Sequence, residues 1–226
     1  TVLPRHYDLR LAPDLEAATF AGSVDVAVEV TEPVTEIVLN AVELEVDEAW
    51  AEAGGTRRPL HADLDDADER VRLTVDGEPL ATGPATVHLS FRGLLNDKLR
   101  GFYRSTFTDD DGVERVIATT QMEATDARRA FPCWDEPDLK ATFTVTLDVA
   151  SGLFAVSNAA EVERTPLGDG RDRVRFAETM LMSTYLLAFV VGPLEATDPV
   201  DVDGVPLRVV HRAGQGHLTA FALESG

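Results

Sequence analysis

Val24, Val26, Val28 and Val30 alternate with Ser23, Asp25, Ala27 and Glu29, and this period of two limits the possible folds more than any other feature of the chain. Successive side chains of an extended strand point to opposite sides, so four valines share one face and small or charged groups share the other. Further strands are expected at residues 7–11, 36–39, 43–47, 70–75, 86–91, 142–149, 173–176 and 207–211. Turn signals separate them: Asp76-Gly77, Thr82 to Pro84, Gly168 to Gly170 and Asp203-Gly204. Many short strands with such punctuation predict packed antiparallel sheets in an all-β fold.

Two stretches depart from the alternation. Residues 185–191, YLLAFVV, are apolar on both strand faces and are expected to form a central strand covered on each side. Near the end, Leu218, Phe221 and Ala222 stand at helical spacing, so residues 217–225 read as a short helix. Two readings of it are open: a frayed natural terminus, or the start of a second domain. The organisation expected is a β domain over 1–212, with 213–226 opening the next, truncated domain or its connector.

Length and charge limit the function. A chain of 226 residues can bury a substantial core, and one large domain is favoured over two small ones. Its 40 acidic against 20 basic residues give a formal charge of −20, which makes a phosphate backbone a poor partner and argues against nucleic acid. The excess acid suits either a well-solvated surface or attraction of cationic substrates. Asp63, Asp65, Asp66, Asp68 and Glu69 read as a surface loop, and the Asp109–Gly112 stretch as a tight turn, since it lacks calcium-loop spacing.

Cys133 is the single cysteine, so no intrachain disulfide is possible; a reducing, cytoplasmic setting fits that count. The first residues lack the apolar run of a secretory signal, and residues 185–191 are too short to span a bilayer, so no membrane segment is expected. No His-Glu-x-x-His pair occurs, and His211 and His217, six residues apart, have no required geometry; no metal site is expected in this chain. Gly-x-Ser-x-Gly and Gly-rich phosphate loops are also absent. Phe131, Pro132 and Trp134 around Cys133 favour a buried structural thiol over a nucleophile.

The chemistry concentrates in residues 119–137, TTQMEATDARRAFPCWDEP. If a strand from Val116 continues, Thr119, Gln121 and Glu123 share one face, and an amide and a carboxylate meet one cavity. Such a pair suits a ligand bearing an ammonium group. Equally, Glu123 could pair with Arg128 or Arg129 in the following turn; the residues alone leave both readings open. Residues 125–129 look like one helical turn in which Asp126 accepts from exposed backbone amides. Asp135 and Glu136 are expected as wall residues held by Arg128, Arg129 or Lys140. Prolines at 132 and 137 stiffen the loop.

This segment resembles part of the N-terminal domain of zinc aminopeptidases of the aminopeptidase N type. So do LNDKLRGFYRS at 95–105, VSN at 156–158 and MSTYLLAFVVG at 182–192, in family order. The resemblance extends from near Pro4 through His211 and suggests a bacterial source. It implies a saddle-like, mostly antiparallel β-sandwich leaning over a separate thermolysin-like catalytic domain. It further implies that Glu123 binds the free α-amino group of a peptide and that Gln121 lines the same first subsite, with Asp126, Arg128, Arg129, Asp135 and Glu136 as structural support. Zinc, its ligand helix and the general base are implied for the downstream catalytic domain, leaving no catalytic residue and no cofactor in this fragment, which alone is expected to be inactive. The partners implied are a peptide N-terminus and that downstream domain. A noncatalytic β-sandwich serving as a peptide-binding or interaction module is the alternative.

Overall fold

The computed structural model describes residues 1–225. In chain order the strands are β1 (Val2–Asp14), β2 (Thr19–Val30), β3 (Glu36–Asn40), β4 (Leu44–Ala53), β5 (Thr56–Asp65), β6 (Arg70–Val75), β7 (Gly83–Leu94), β8 (Gly101–Thr108) and β9 (Glu114–Gln121). They continue as β10 (Thr142–Ala150), β11 (Phe154–Ser157), β12 (Glu161–Pro166), β13 (Arg171–Phe176), β14 (Phe189–Gly192), β15 (Leu194–Ala196), β16 (Val200–Val202), β17 (Val205–Leu207) and β18 (Val210–Arg212). One short helix, α1 (Ala220–Ser225), follows.

Ten strands form one sheet in the order β12-β13-β10-β1-β2-β7-β4-β5-β6-β3, and β11-β14-β9-β8 form a second. The result is a largely antiparallel, β-sandwich-like domain with very little helix. One pairing departs from the antiparallel expectation: β1 and β10 run parallel, with His6 opposite Thr142 and Leu11 opposite Leu147. A parallel pair needs a long crossover, and the chain between these strands builds β2 to β9 and the 122–137 corner on its way back.

The alternation in β2 sets the inner face. Val24, Val26, Val28 and Val30 are buried together with Tyr7, Leu9 and Leu11 of β1, Val87, Leu89 and Phe91 of β7, and Phe143, Val145, Leu147 and Val149 of β10. Aromatic rings connect the layers. Phe20 of β2 lies 5.3 Å from Phe102 of β8, which meets Phe189 of β14 edge-on at 4.9 Å. Tyr7 stacks on Phe143 at 4.9 Å and takes Phe131 of the corner on its edge. Each buried ring adds geometry-dependent attraction to a large apolar area removed from water.

Several expected elements differ. Residues 185–191 are not a single strand: a 3-10 turn occupies Thr184–Leu186, Leu186 is half exposed, and β14 starts at Phe189. The 207–211 strand is interrupted after Leu207, where β17 closes a hairpin with β16 and β18 instead pairs with β15. The aspartates read as one loop divide between an extended strand and a turn. Asp63 and Asp65 belong to β5, and only then does the Asp65 carboxylate accept from the backbone amides of Ala67 and Asp68. That strand was hidden by its polar sequence; its Arg57 covers Trp50, 3.7 Å from the ring centroid, and this cross-strand packing substitutes for an apolar alternation.

Candidate functional site

The corner begins where β9 ends. Gln121 is its last residue, Met122 turns into the core, and Glu123 lies past the strand, so the expected continuation of one strand face through Glu123 does not occur. Gln121 and Glu123 are nevertheless neighbours on the surface: the Gln121 amide Nε2 lies 3.4 Å from the Glu123 carbonyl oxygen. Both side chains are exposed. The peptide bond after Glu123 is cis.

Glu123 makes no ion pair among the described residues, because both neighbouring arginines are committed elsewhere. Arg128 donates from Nε to Asp135 at 3.0 Å and from NH1 to Glu69 at 3.0 Å. Arg129 donates from Nε to Asp126 at 2.7 Å and from NH2 to Glu69 at 3.0 Å, while its NH1 stands 3.0 Å from Glu43. Burial by itself would lower the tendency of either guanidinium to stay charged, but the facing carboxylates outweigh it and raise both pKa values. The reading in which Glu123 pairs with Arg128 or Arg129 is therefore overturned by geometry.

The turn also differs from expectation. A 3-10 turn covers Ala127–Arg129, and Asp126 makes no side-chain bond to a backbone amide at its start; its carboxylate takes the Arg129 side chain. Asp135 is held on three sides: Arg128 bonds one oxygen, the Thr184 hydroxyl donates to the other at 2.7 Å, and its backbone N–H donates to Asn40 Oδ1 at 3.1 Å. Glu136 is not held in this way. It is exposed, and its carboxylate forms no ion pair with Arg128, Arg129 or Lys140.

The four sequence blocks of the resemblance meet around this corner. Gly101 of β8 pairs with Gln121, and a Cβ there would lie 2.6 Å from Arg129 Cβ, so only glycine admits the turn so closely. Asn158 donates to the Leu186 carbonyl at 2.8 Å and accepts from the Ala188 amide at 2.7 Å, clamping residues 186–188. Ser183 donates to the Pro137 carbonyl at 2.6 Å. Beneath it all, the Trp134 amide donates to the Tyr7 hydroxyl at 3.2 Å, and burial pushes both the Tyr7 phenol and the Cys133 thiol well up. Cys133 is a buried free thiol.

Glu69, Glu43, Asn40 and Thr184 were missed as parts of this assembly. They reach it from about 50 to 95 positions away in sequence, so no local pattern marks them. The available signal was stoichiometric: two adjacent arginines in a stiff loop require more acceptors than Asp126 and Asp135 supply. Among the described residues no group of three or more His, Cys, Asp or Glu is placed to hold a metal ion.

What this arrangement defines is an exposed amide and carboxylate standing on a braced β domain. The chain matches the Peptidase M1 N-terminal domain over residues 3–186 and belongs to that family. It is 44% identical to Aminopeptidase M1-A of Oryza sativa subsp. japonica over 98% of this chain and 25% of that protein. It is 39% identical to Aminopeptidase 2 of Candida albicans over 98% of this chain and 23% of that protein. With the Puromycin-sensitive aminopeptidase of Caenorhabditis elegans the identity is 38%, over 98% and 24% respectively. The chain thus spans about a quarter of the length of these relatives. All three are eukaryotic and lend no support to a bacterial source.

Proposed function

We propose that this chain is the substrate-anchoring N-terminal domain of a zinc-dependent aminopeptidase, and that Glu123 and Gln121 grip the ammonium at the start of a peptide. The observation that carries the reading is the unspent carboxylate of Glu123, exposed beside Gln121 while six other carboxyl and guanidinium groups of the corner are paired among themselves. An acid without an internal partner, mounted on a braced turn, is available to a cationic ligand without being ordered anew at each encounter. The names of the relatives, aminopeptidases over their whole length, agree with a ligand that has a free α-amino group.

Asp126, Arg128, Arg129 and Asp135 serve as bracing in this reading; Glu136 stands beside them on the rim. This reading assigns zinc and hydrolysis to the remainder of the parent protein and leaves this domain inactive by itself. A fixed distance between the ammonium grip and that remote chemistry would restrict cleavage to the first peptide bond. Residues 1–212 form the domain, and 213–226 lead toward the next one. Met180, Leu181 and Leu186, together with Leu218 and Phe221, leave large apolar side chains exposed, as expected of surface that the remainder of the parent covers. No helix among the described residues is long and apolar enough to cross a membrane. A cytoplasmic location accords with the single, free cysteine.

The test is Glu123→Gln in the full-length parent enzyme. A charged hydrogen bond lost in the transition state corresponds to roughly a 10- to 100-fold fall in kcat/KM, with zinc content and fold unchanged. An unchanged kcat/KM across pH would show that the anchor lies elsewhere. Gln121→Ala should give a smaller fall and an altered preference on a panel of aminoacyl reporters.

A further inference from the structure

A pocket of about 530 Å³ opens between the end of β7, the 95–98 loop and β8. Its walls combine apolar surface from Leu94 and Leu95 with the side chains of Lys98, Arg104 and Arg129. In a chain of charge −20, three cations on one small pocket are out of proportion to the surface around them.

Arg104 is the informative residue. It alternates with Tyr103 and Ser105 and so shares the side of β8 occupied by Phe102, which is fully buried, and its strand neighbour Ala118 is also buried. Arg104 is partly exposed and its guanidinium nitrogens keep contact with solvent, so the cation is open to a ligand entering the pocket. Among the described residues Arg104 makes no ion pair and no side-chain hydrogen bond; the one polar bond recorded there is its backbone amide to the Asn96 carbonyl. Lys98 likewise has no ion-pair partner. Its backbone is pinned instead, by a bond to Asn96 Oδ1 at 2.8 Å, so the ammonium projects from an ordered turn.

Arg129 closes the back of the pocket. Nine-tenths buried, it spends Nε and NH2 on Asp126 and Glu69, while NH1 stands 3.0 Å from Glu43. Glu43 is thus engaged by Arg129, with Arg100 a further 3.8 Å away. Asp97, on the exposed rim, is the one lining carboxylate without an ion pair, and it faces two cations without one.

The geometry points to an anion subsite in this pocket, in which the planar fork of Arg104 and the ammonium of Lys98 receive a carboxylate while Leu94 and Leu95 pack against a small apolar body carrying it. A free acid of a short peptide and an acidic side chain share that chemistry. Arg104 also sits on an edge strand, where an inward-pointing charge can serve only to discourage pairing with another sheet; that role requires no ligand, and the experiment separates the two.

The 226-residue chain, labelled with 15N, is titrated at low salt with N-acetyl-leucine, with N-acetyl-leucinamide, and with the α-amide of N-acetyl-aspartate, whose free side-chain carboxylate is the second acid. A saturable shift of the amides of residues 94–98 and 104 by one or both acids is expected, at least fivefold weaker for leucinamide and weakened further by added salt. Comparing the two acids shows which source fits better. Arg104→Gln and, in the exposed turn, Lys98→Gln should each weaken acid binding at least fivefold. Equal responses to the acid and the amide, shifts confined to another surface, or Lys98→Gln and Arg104→Gln chains that are folded and bind as wild type would overturn the assignment. Neither substitution touches Gln121 or Glu123, so failure here leaves the ammonium anchor standing.

Discussion

Asp135→Asn should destabilise the domain far more than its position in a loop suggests. The side chain is 1% exposed and its partner Arg128 is 12% exposed, so the pair is largely removed from water. Removing one member of such a pair leaves an uncompensated charge and costs about 3–5 kcal/mol. Two features move the estimate to the lower end. Arg128 keeps Glu69 at 3.0 Å, and the Thr184 hydroxyl can still donate to the new amide oxygen, retaining about 1 kcal/mol. A loss of about 3 kcal/mol corresponds to roughly 6–12 °C in Tm for a domain of this size. Urea unfolding followed by tryptophan fluorescence and far-UV circular dichroism measures it, with Glu136→Gln as the comparison. That neighbour is exposed and unpaired, so its change should stay within about 0.5 kcal/mol. A loss below about 1 kcal/mol for Asp135→Asn, or equal losses for the two variants, would refute the bracing role assigned to Asp135.

Asp148 provides a pH test: burial would raise its pKa, but Arg173 and Arg10 outweigh that and hold it below the usual carboxylate value. A carboxyl whose pKa is lower folded than unfolded stabilises the fold above the unfolded value, about pH 4, and the contribution is lost as pH falls through the folded value. Wild type should therefore exceed Asp148→Asn in urea midpoint at pH 6, the gap closing below about pH 4; a gap independent of pH would contradict the pairing. Gly101→Ala combines a left-handed φ of 66° with a Cβ contact of 2.6 Å, and should cost about 2–4 kcal/mol. Gly77→Ala, at φ 84° with open space around it, should cost about 1–2 kcal/mol. Equal unfolding midpoints for these two variants would mean that the close approach of β8 to Arg129 is not a constraint.

The sheet strands were legible wherever alternation met burial on one side, as in the four valines of β2 or in β6. They were not legible where cross-strand side chains supplied the packing. β5 has Leu60 as its one buried residue and rests on Arg57 stacking over Trp50, an arrangement visible only once β4 and β5 are paired. Residues 185–187 have the apolar content of a strand, but Ser183 and Thr184 are tied to Pro137 and Asp135 and start a 3-10 turn there. That Gln121 and Glu123 stand side by side could be read from local sequence, since they lie at and just past one strand end. Their bracing could not, because Glu43, Glu69 and Asn40 arrive from distant turns and strand ends through the tertiary fold. The same long-range pairing decides which acids of the corner are spent, Asp126 and Asp135, and which are free, Glu123 and Glu136.

The most direct test of an ammonium anchor removes the ligand's charge and the protein's charge in turn. In the full-length parent enzyme, competitive inhibition constants are measured for a short peptide inhibitor and for its des-amino analogue, with wild type and with Glu123→Gln. The account predicts that wild type prefers the amino form by at least tenfold and that Glu123→Gln loses most of this preference. The same preference in both proteins would contradict it.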